Sequence, residues 1–505
     1  MPVNSNSVVP HYINGKFVAG QPHGQNNQSM IVQNPATLEE LAVTHFASME
    51  LLEQAVSAAE KAFVDWRQVP VVDRVAPLFK LKALLDKNFD EISAIITKEH
   101  GKTLREAKGD LLRGVQMVEA AIGMTTIQMG ECMDNVAREI DCQTYRRPLG
   151  IFAGINPFNF PAMVPFWFWP FAVASGNTYV IKPSERVPLT QARIFELIHE
   201  CGFPPGVINM IQGGKDVVNA LLTHPRIKGI NFVGSTPVAQ HIYRTGCFHG
   251  KRVQALGGAK NFLVLLPDAA IDRSVKAMVE SCIGCAGERC LAGSVLIGVG
   301  PAYDILKKEV LKEVKNVTIG DGLNSQVNMG PVISAEAKTR ILSDIETAIG
   351  EGAKMIVDGR NPSIVGGLKG HFLGVTVLDE VKPGTLMATK EIFGPVIGLM
   401  KVDSLEQAIS IINSSEFANT TSIFTNNGGA AREFIQKIDP SMVGVNLGVP
   451  APMAFFSFGG SKQSFFGDVK VHGRSSVEFF TEKHTIMQRW FKEGSSGVVN
   501  PLWHN

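Results

Sequence analysis

Between residues 48 and 127 apolar side chains recur every third or fourth position with charged ones between them, as in LEQAVSAAEKAFVDW and VVDRVAPLFKLKALLDKNFDEISAIITKEHGKTLREA. That spacing predicts a run of amphipathic helices. Ahead of it, HYINGKFV reads as a hairpin, because Asn14 and Gly15 accept the positive φ angles of a tight turn. EIDCQTYRRPLGIFAGI turns strand-like. From 178 to 267 the texture alternates. TYVIKPSE, GVINMIQGG, IKGINFVGST and NFLVLLPD read as strands with the turns that follow them, and LTQARIFELIHECG, KDVVNALLTHP and PVAQHIYRTG as helices. Such alternation predicts an α/β fold, a parallel sheet with helices on both faces. A second α/β region runs from the helical SVKAMVESCIGCAG and the strand AGSVLIGVG to about SMVGVNLG. The tail SSVEFFTEKHTIMQRWF reads as strand, and an exposed strand of this kind often pairs with another subunit.

The most apolar stretch, FPAMVPFWFWPFAVASG, carries Pro161, Pro165 and Pro170. It is too short and too broken to span a bilayer, and is expected as a proline-kinked core segment. At 505 residues the chain exceeds one ordinary core, so two or three domains are expected. A net charge of +1 gives no basic footprint for nucleic acid. Seven scattered cysteines make no disulfide framework and point to a reducing compartment. The start, MPVNSNSVVPHYINGK, shows no targeting pattern, so a cytoplasmic location is expected.

Three stretches carry candidate chemistry. In GCAGERCLAG, Cys290 follows Arg289, a cation that would lower a neighbouring thiol's pKa. Taken alone, Cys290 is as readily an inert thiol as a nucleophile. Cys282 and Cys285 form a C-x-x-C, but no second pair or close histidines complete a zinc site, so no metal is expected and both read as buried small hydrophobes. In INFVGSTPVAQHIY a strand ends at Val233, Gly234 turns, Ser235 or Thr236 caps, and Pro237 suits a first helical position. A pyrophosphate could sit on such a helix start, although an ordinary capped helix reads the same way and G-x-G-x-x-G is absent. In TYVIKPSERVP, Lys182, Glu185 and Arg186 follow a strand end, where open α/β sheets bind ligands.

Together NPFNFPAMVPFW, VIKPSE, FVGST, GERC, KEIFGPV and SFGGSKQS occur in the order seen in the NAD(P)-dependent aldehyde dehydrogenase superfamily, which the chain resembles from its first hairpin almost to its end. GDLLRGVQMVE, QALGGAKN and the arginine before the cysteine resemble the CoA-acylating methylmalonate-semialdehyde (malonate-semialdehyde) dehydrogenase branch. The resemblance implies an aldehyde dehydrogenase-like fold: a parallel-sheet dinucleotide-binding domain (1–127 and 148–255), an α/β catalytic domain (256–446) and a small β oligomerisation domain. The last comes from a hairpin at 128–147 and a strand in the C-terminal return, 447–505. By the same resemblance Cys290 is the nucleophile, and Asn159 joins the Cys290 N–H as oxyanion hole. NAD is expected against Asn156, Phe158, Lys182, Glu185, Arg186, Ser235, Gly257, Glu391 and Phe393. Arg113 and Arg289 are expected to hold the carboxylate of a small semialdehyde. CoA is expected as acyl acceptor, a homodimer or homotetramer as the assembly, and valine, β-alanine or inositol breakdown as the setting. No nucleic-acid or membrane partner is expected.

Two departures bear on the substrate. Glu288 stands where the branch carries glutamine and is expected to pair with Arg289, weakening its grip on a carboxylate. Phe262 replaces a histidine. A third bears on the reaction. Hydrolytic members use a glutamate in an ELGGK-type motif to activate water, whereas VQALGGAKNF places Ala255 or Leu256 there. Neither can take a proton, so the alternatives, a hydrolytic dehydrogenase or a retired member with a structural role, fit less well than acyl transfer to a thiol.

Overall fold

A computed structural model describes residues 8–21 and 28–490. The termini, including the last residues of the expected strand tail and the opening MPVNSNS, lie outside the described residues. The Asn14–Gly15 turn forms as expected, with φ angles of 51° and 76° joining His11–Ile13 to Lys16–Val18. The expected helical run is Met49–Trp66, Val71–Lys87, Phe89–His100, Leu104–Ile122 and Met124–Ile127. The helix Leu104–Ile122 begins in a capping box: Thr103 accepts from the Glu106 N–H while Glu106 accepts from the Thr103 N–H.

These helices cover an eight-stranded sheet. Its order is Lys16–Val18, His11–Ile13, Ile208–Met210, Thr178–Lys182, Ile151–Ile155, Ile227–Val233, Arg252–Leu256 and Phe465–Phe466. The middle five strands are parallel, and the chain order reverses between Ile151–Ile155 and Ile227–Val233. The crevice beyond the carboxyl ends at such a reversal is where doubly wound sheets take ligands. The strand Arg252–Leu256 is absent from the sequence-based expectation, and NFLVLLPD belongs instead to a second sheet. That sheet runs Lys354–Val357, Thr376–Asp379, Val396–Val402, Gly293–Val299, Asn261–Leu265, Thr420–Phe424, Met442–Val445, parallel except for its first strand.

The proline-rich stretch makes the short helices Met163–Phe166 and Trp169–Ala174, and Trp169, Phe166, Phe168 and Phe171 are fully buried, as expected. Burial of such rings stabilises by roughly 1.5–3 kcal/mol each. The tail is corrected in part. SSVEFF is helical, within Gly473–Phe480, and only Thr481–Arg489 is a strand. Helical turns put Val477, Phe479 and Phe480 into the core, where Phe480 meets Phe152 edge-on at 5.0 Å or less (4.9 Å between centroids). Thr481–Arg489 pairs along its whole length with Ile140–Pro148 of its own chain, which also pairs Cys132–Ala137. No described helix is long and apolar enough to cross a membrane.

Candidate active site

The helix Ile271–Ile283 ends one residue before Gly284, and the chain then turns left-handed at Cys285, Ala286 and Gly287 (φ 51°, 52° and 79°). Cys282 therefore sits on the helix and Cys285 on the turn, and both are buried, as expected. Two non-glycine residues in this region cost on the order of 1–3 kcal/mol each and persist only where surroundings fix them. Glu106 supplies that fixing. Its Oε1 accepts the Cys285 N–H at 2.7 Å and Arg289 Nη2 at 3.1 Å, while Oε2 stays on the Thr103 cap. Arg289 Nε also donates to Cys285 Sγ at 3.3 Å. A β-carbon at residue 284 would displace the guanidinium from this position.

Past the turn, the Cys290 carbonyl accepts from both Asn261 Nδ2 and Asn419 Nδ2 at 2.9 Å, which fixes the peptide next to the thiol. Cys290 lines a cavity of about 450 Å³ with Arg113, Arg289, Glu106, Phe160, Trp167 and His472 among its walls. The effect expected of Arg289 on the thiol is outweighed. Burial first, and then Glu391, push Cys290 up to about 12, and the guanidinium only partly opposes them. Asn159 Nδ2 donates to the Glu288 carbonyl at 3.0 Å, leaving one amide hydrogen for another acceptor.

The expected Glu288–Arg289 pair does not form. The Glu288 side chain is fully buried; one oxygen accepts the Ile333 N–H at 3.3 Å and the other has no hydrogen-bond partner among the described residues. Burial raises its pKa to about 8. A carboxyl raised in the folded state contributes stability that is fully present below its unfolded pKa and lost as pH rises through the folded one. Glu288→Gln is therefore expected to gain on the order of a few kcal/mol over the parent at about pH 9 and much less at about pH 5. Thermal melts at the two values check this, and an equal difference at both would refute it.

Arg113 is half-buried and also lines the cavity, but its guanidinium is engaged: it donates to Gln116 and to the Ala451 and Pro452 carbonyls. Arg289 leaves Nη1 without a hydrogen-bond partner among the described residues. The residues expected around NAD gather at the sheet's reversal. Asn156 follows Ile151–Ile155, with its Oδ1 buried and unpartnered. Exposed Ser235 precedes the helix Thr236–Phe248 and makes no side-chain cap, so the helix start is open. Lys182 Nζ meets Glu185 Oε2 at 2.7 Å, whereas Arg186 turns to Glu336 at 3.7 Å. Phe158 and Phe393 meet edge to face at 6.0 Å. Gly257 and Gly258 pass close beneath: a β-carbon on Gly257 would lie 2.7 Å from the Gln463 carbonyl, and one on Gly258 would collide with Glu391. Burial raises Glu391 to about 7. These open donors and acceptors, with a backbone too close for side chains, fit a dinucleotide.

Sequence reasoning missed Glu106, Lys102, Asp110, Trp167, His472 and Lys260. Lys260 is buried with its Nζ unpartnered and is pushed down to about 7 by burial, and burial pushes His472 down to about 3. Lys102 and Asp110 lie in the polar stretch KEHGKTLREAKGD, where nothing local marks them out for burial.

Malonate-semialdehyde dehydrogenase 1 of Oceanobacillus iheyensis is 44% identical, over 96% of this chain and 98% of its own. Malonate-semialdehyde dehydrogenase 3 of Geobacillus kaustophilus is 45% identical, over 95% and 99%. Among solved structures, methylmalonate-semialdehyde dehydrogenase of Oceanimonas doudoroffii superposes with a TM-score of 0.93 at 42% identity, covering 97% of this chain and 99% of its own. A Sinorhizobium meliloti protein crystallised with NAD matches with TM-score 0.93 and 40% identity, covering 98% and 99%. The model of the aldehyde dehydrogenase family matches residues 23–486. The α/β fold, the cysteine on its cavity wall and these likenesses agree: the chain belongs to the aldehyde dehydrogenase family.

Proposed function

We propose that the protein oxidises malonate semialdehyde or its methyl homologue with NAD, through a Cys290 thioester, and passes the acyl group to CoA. The products are acetyl-CoA or propionyl-CoA, CO2 and NADH. The observation that carries this reading is a cavity joining Cys290 to three arginines, Arg105, Arg113 and Arg289, with no general base on the strand Arg252–Leu256. Ala255 packs on one face of that strand with Phe466, and Leu256 on the other in the cluster that Cys290 packs against. Both possible alignments of the missing glutamate therefore end on a side chain without a proton site.

The chain's own groups divide the work. Cys290 Sγ attacks the aldehyde carbon, and the developing oxyanion is met by the free hydrogen of the Asn159 amide and the Cys290 N–H. NAD, when bound, supplies the two-electron acceptor. Lys182, Glu185, Ser235 and Glu391 would hold it, with Asn156, Phe158, Gly257 and Phe393 lining the cleft. Glu185 would accept from the adenosine-ribose hydroxyl and repel a 2′-phosphate, and Arg186 turns to Glu336, so NAD is favoured over NADP. The carboxylate β to the new thioester carbonyl leaves as CO2, the resulting enolate takes a proton from solvent, and the CoA thiolate displaces Cys290 as thiolate. The reading also includes a cytoplasmic homo-oligomer built through the three-stranded sheet, and domain limits as set out from the sequence.

A buried carboxylate requires a cation. Arg289→Leu is expected to raise KM for malonate semialdehyde at least about 10-fold more than KM for propanal. Arg113→Leu should do likewise, since a substrate carboxylate competes for a guanidinium now bound to carbonyls. Equal effects on both aldehydes would give the arginines a structural role only. A flat absorbance trace on mixing protein, NAD, CoA and either semialdehyde would refute the activity.

A further inference from the structure

Behind Asn159 lie two charged side chains that no step above uses. Lys102 and Asp110 are both fully buried and form an ion pair of 3.2 Å. Lys102 Nζ also donates to the Asn159 carbonyl at 2.5 Å and stands 4.1 Å from the centroid of the Phe160 ring. Asp110 Oδ1 accepts the Met163 N–H at 2.8 Å. One ion pair thus grips the segment 159–163 at its two ends and over the ring between them. The side chain of Asn159 is tied on its far side to the Glu288 carbonyl, two residues before the nucleophile.

We propose that Lys102 and Asp110 are positioning residues for the oxyanion-binding amide, aiming the one free Asn159 hydrogen at the oxygen that develops on the Cys290 adduct. The inference rests on the role given to Asn159 above. A buried pair is poor value as a stabiliser, because desolvating two charges offsets most of their attraction and an apolar replacement is often no worse. What this pair does have is direction. It fixes the main chain of Asn159 through its carbonyl, while the Glu288 carbonyl fixes the amide plane. Donors to an oxyanion act only when held at hydrogen-bond distance from the place where charge appears, and a displacement of about 1 Å can cost on the order of 100-fold.

The test is a double-mutant cycle on NADH formation, read as the rate of the first turnover without CoA. Lys102→Met is expected to slow that turnover about 10- to 100-fold with little change in KM for aldehyde or in NAD binding. Asn159→Ala should slow it about 100- to 1000-fold. In the Asn159→Ala background, Lys102→Met should cost less than about 3-fold more, because the group it positions is gone. Losses that multiply in the double variant, or a Lys102→Met enzyme with unchanged first-turnover rate, would overturn the proposal. Should Lys102→Met not fold, Asp110→Asn keeps the shape, and the same cycle with Asn159→Ala decides. The cycle is run on propanal as well as malonate semialdehyde. A parent active only on propanal would refute the proposed substrate while the cycle still judges the positioning pair.

Discussion

Cys290→Ala abolishes NADH formation and leaves NAD binding unchanged: this is the expected result if the cavity cysteine is the nucleophile, with a loss of at least about 10⁴-fold. The competing thiols are poorly placed. Cys282 and Cys285 are buried, and burial pushes both pKa values up. Cys132 and Cys247 are exposed, so alkylation alone does not single out Cys290, and protection by substrate must. Since burial and Glu391 push the Cys290 thiol up to about 12, its labelling should be slow at neutral pH and accelerate as pH rises. Activity surviving in the alanine variant, or substrate protecting only other cysteines, would sink the assignment.

Withholding CoA should have the next largest effect. One NADH per active site is expected as a burst, followed by a steady rate lower by about 10²- to 10⁴-fold than with CoA. Water attacking the thioester needs a base to take its proton. Ala255 and Leu256 supply none, and Glu288, raised to about 8, sits off the cavity with one oxygen on the Ile333 N–H. A thiol acceptor is already a few per cent thiolate at neutral pH and needs less help. Leu256→Glu should raise the CoA-independent rate. Full steady turnover by the parent without CoA would favour the hydrolytic alternative.

The elements legible beforehand were those whose signal is local. The Asn14–Gly15 turn, the helices from Met49 to Ile127 and the kinked stretch around Trp169 each follow from neighbouring residues alone. Cys290, Asn159, Glu391 and Lys182 were grouped by a family resemblance carried by the order of short motifs, not by any local property of those residues. Illegible were contacts set by distant chain. Arg289 was read against its neighbour Glu288, but the Glu288 carboxyl takes the Ile333 N–H and Arg289 meets Glu106 across 183 positions. The thiol was read against the cation next to it in sequence, whereas burial, which sequence does not display, decides its pKa. Val477, Phe479 and Phe480 read as strand by composition, yet packing against Phe152 selects a helix.

The pairing of Phe465–Phe466 against Arg252–Leu256 has a consequence for how the protein comes to be made. That edge of the first sheet is completed by a segment near the end of the chain, so a polypeptide leaving the ribosome carries an open, apolar strand edge until translation is almost finished. Open edges are templates for pairing with other chains. A premature stop after the catalytic cysteine would therefore leave that edge open and yield an aggregating fragment rather than a shortened enzyme.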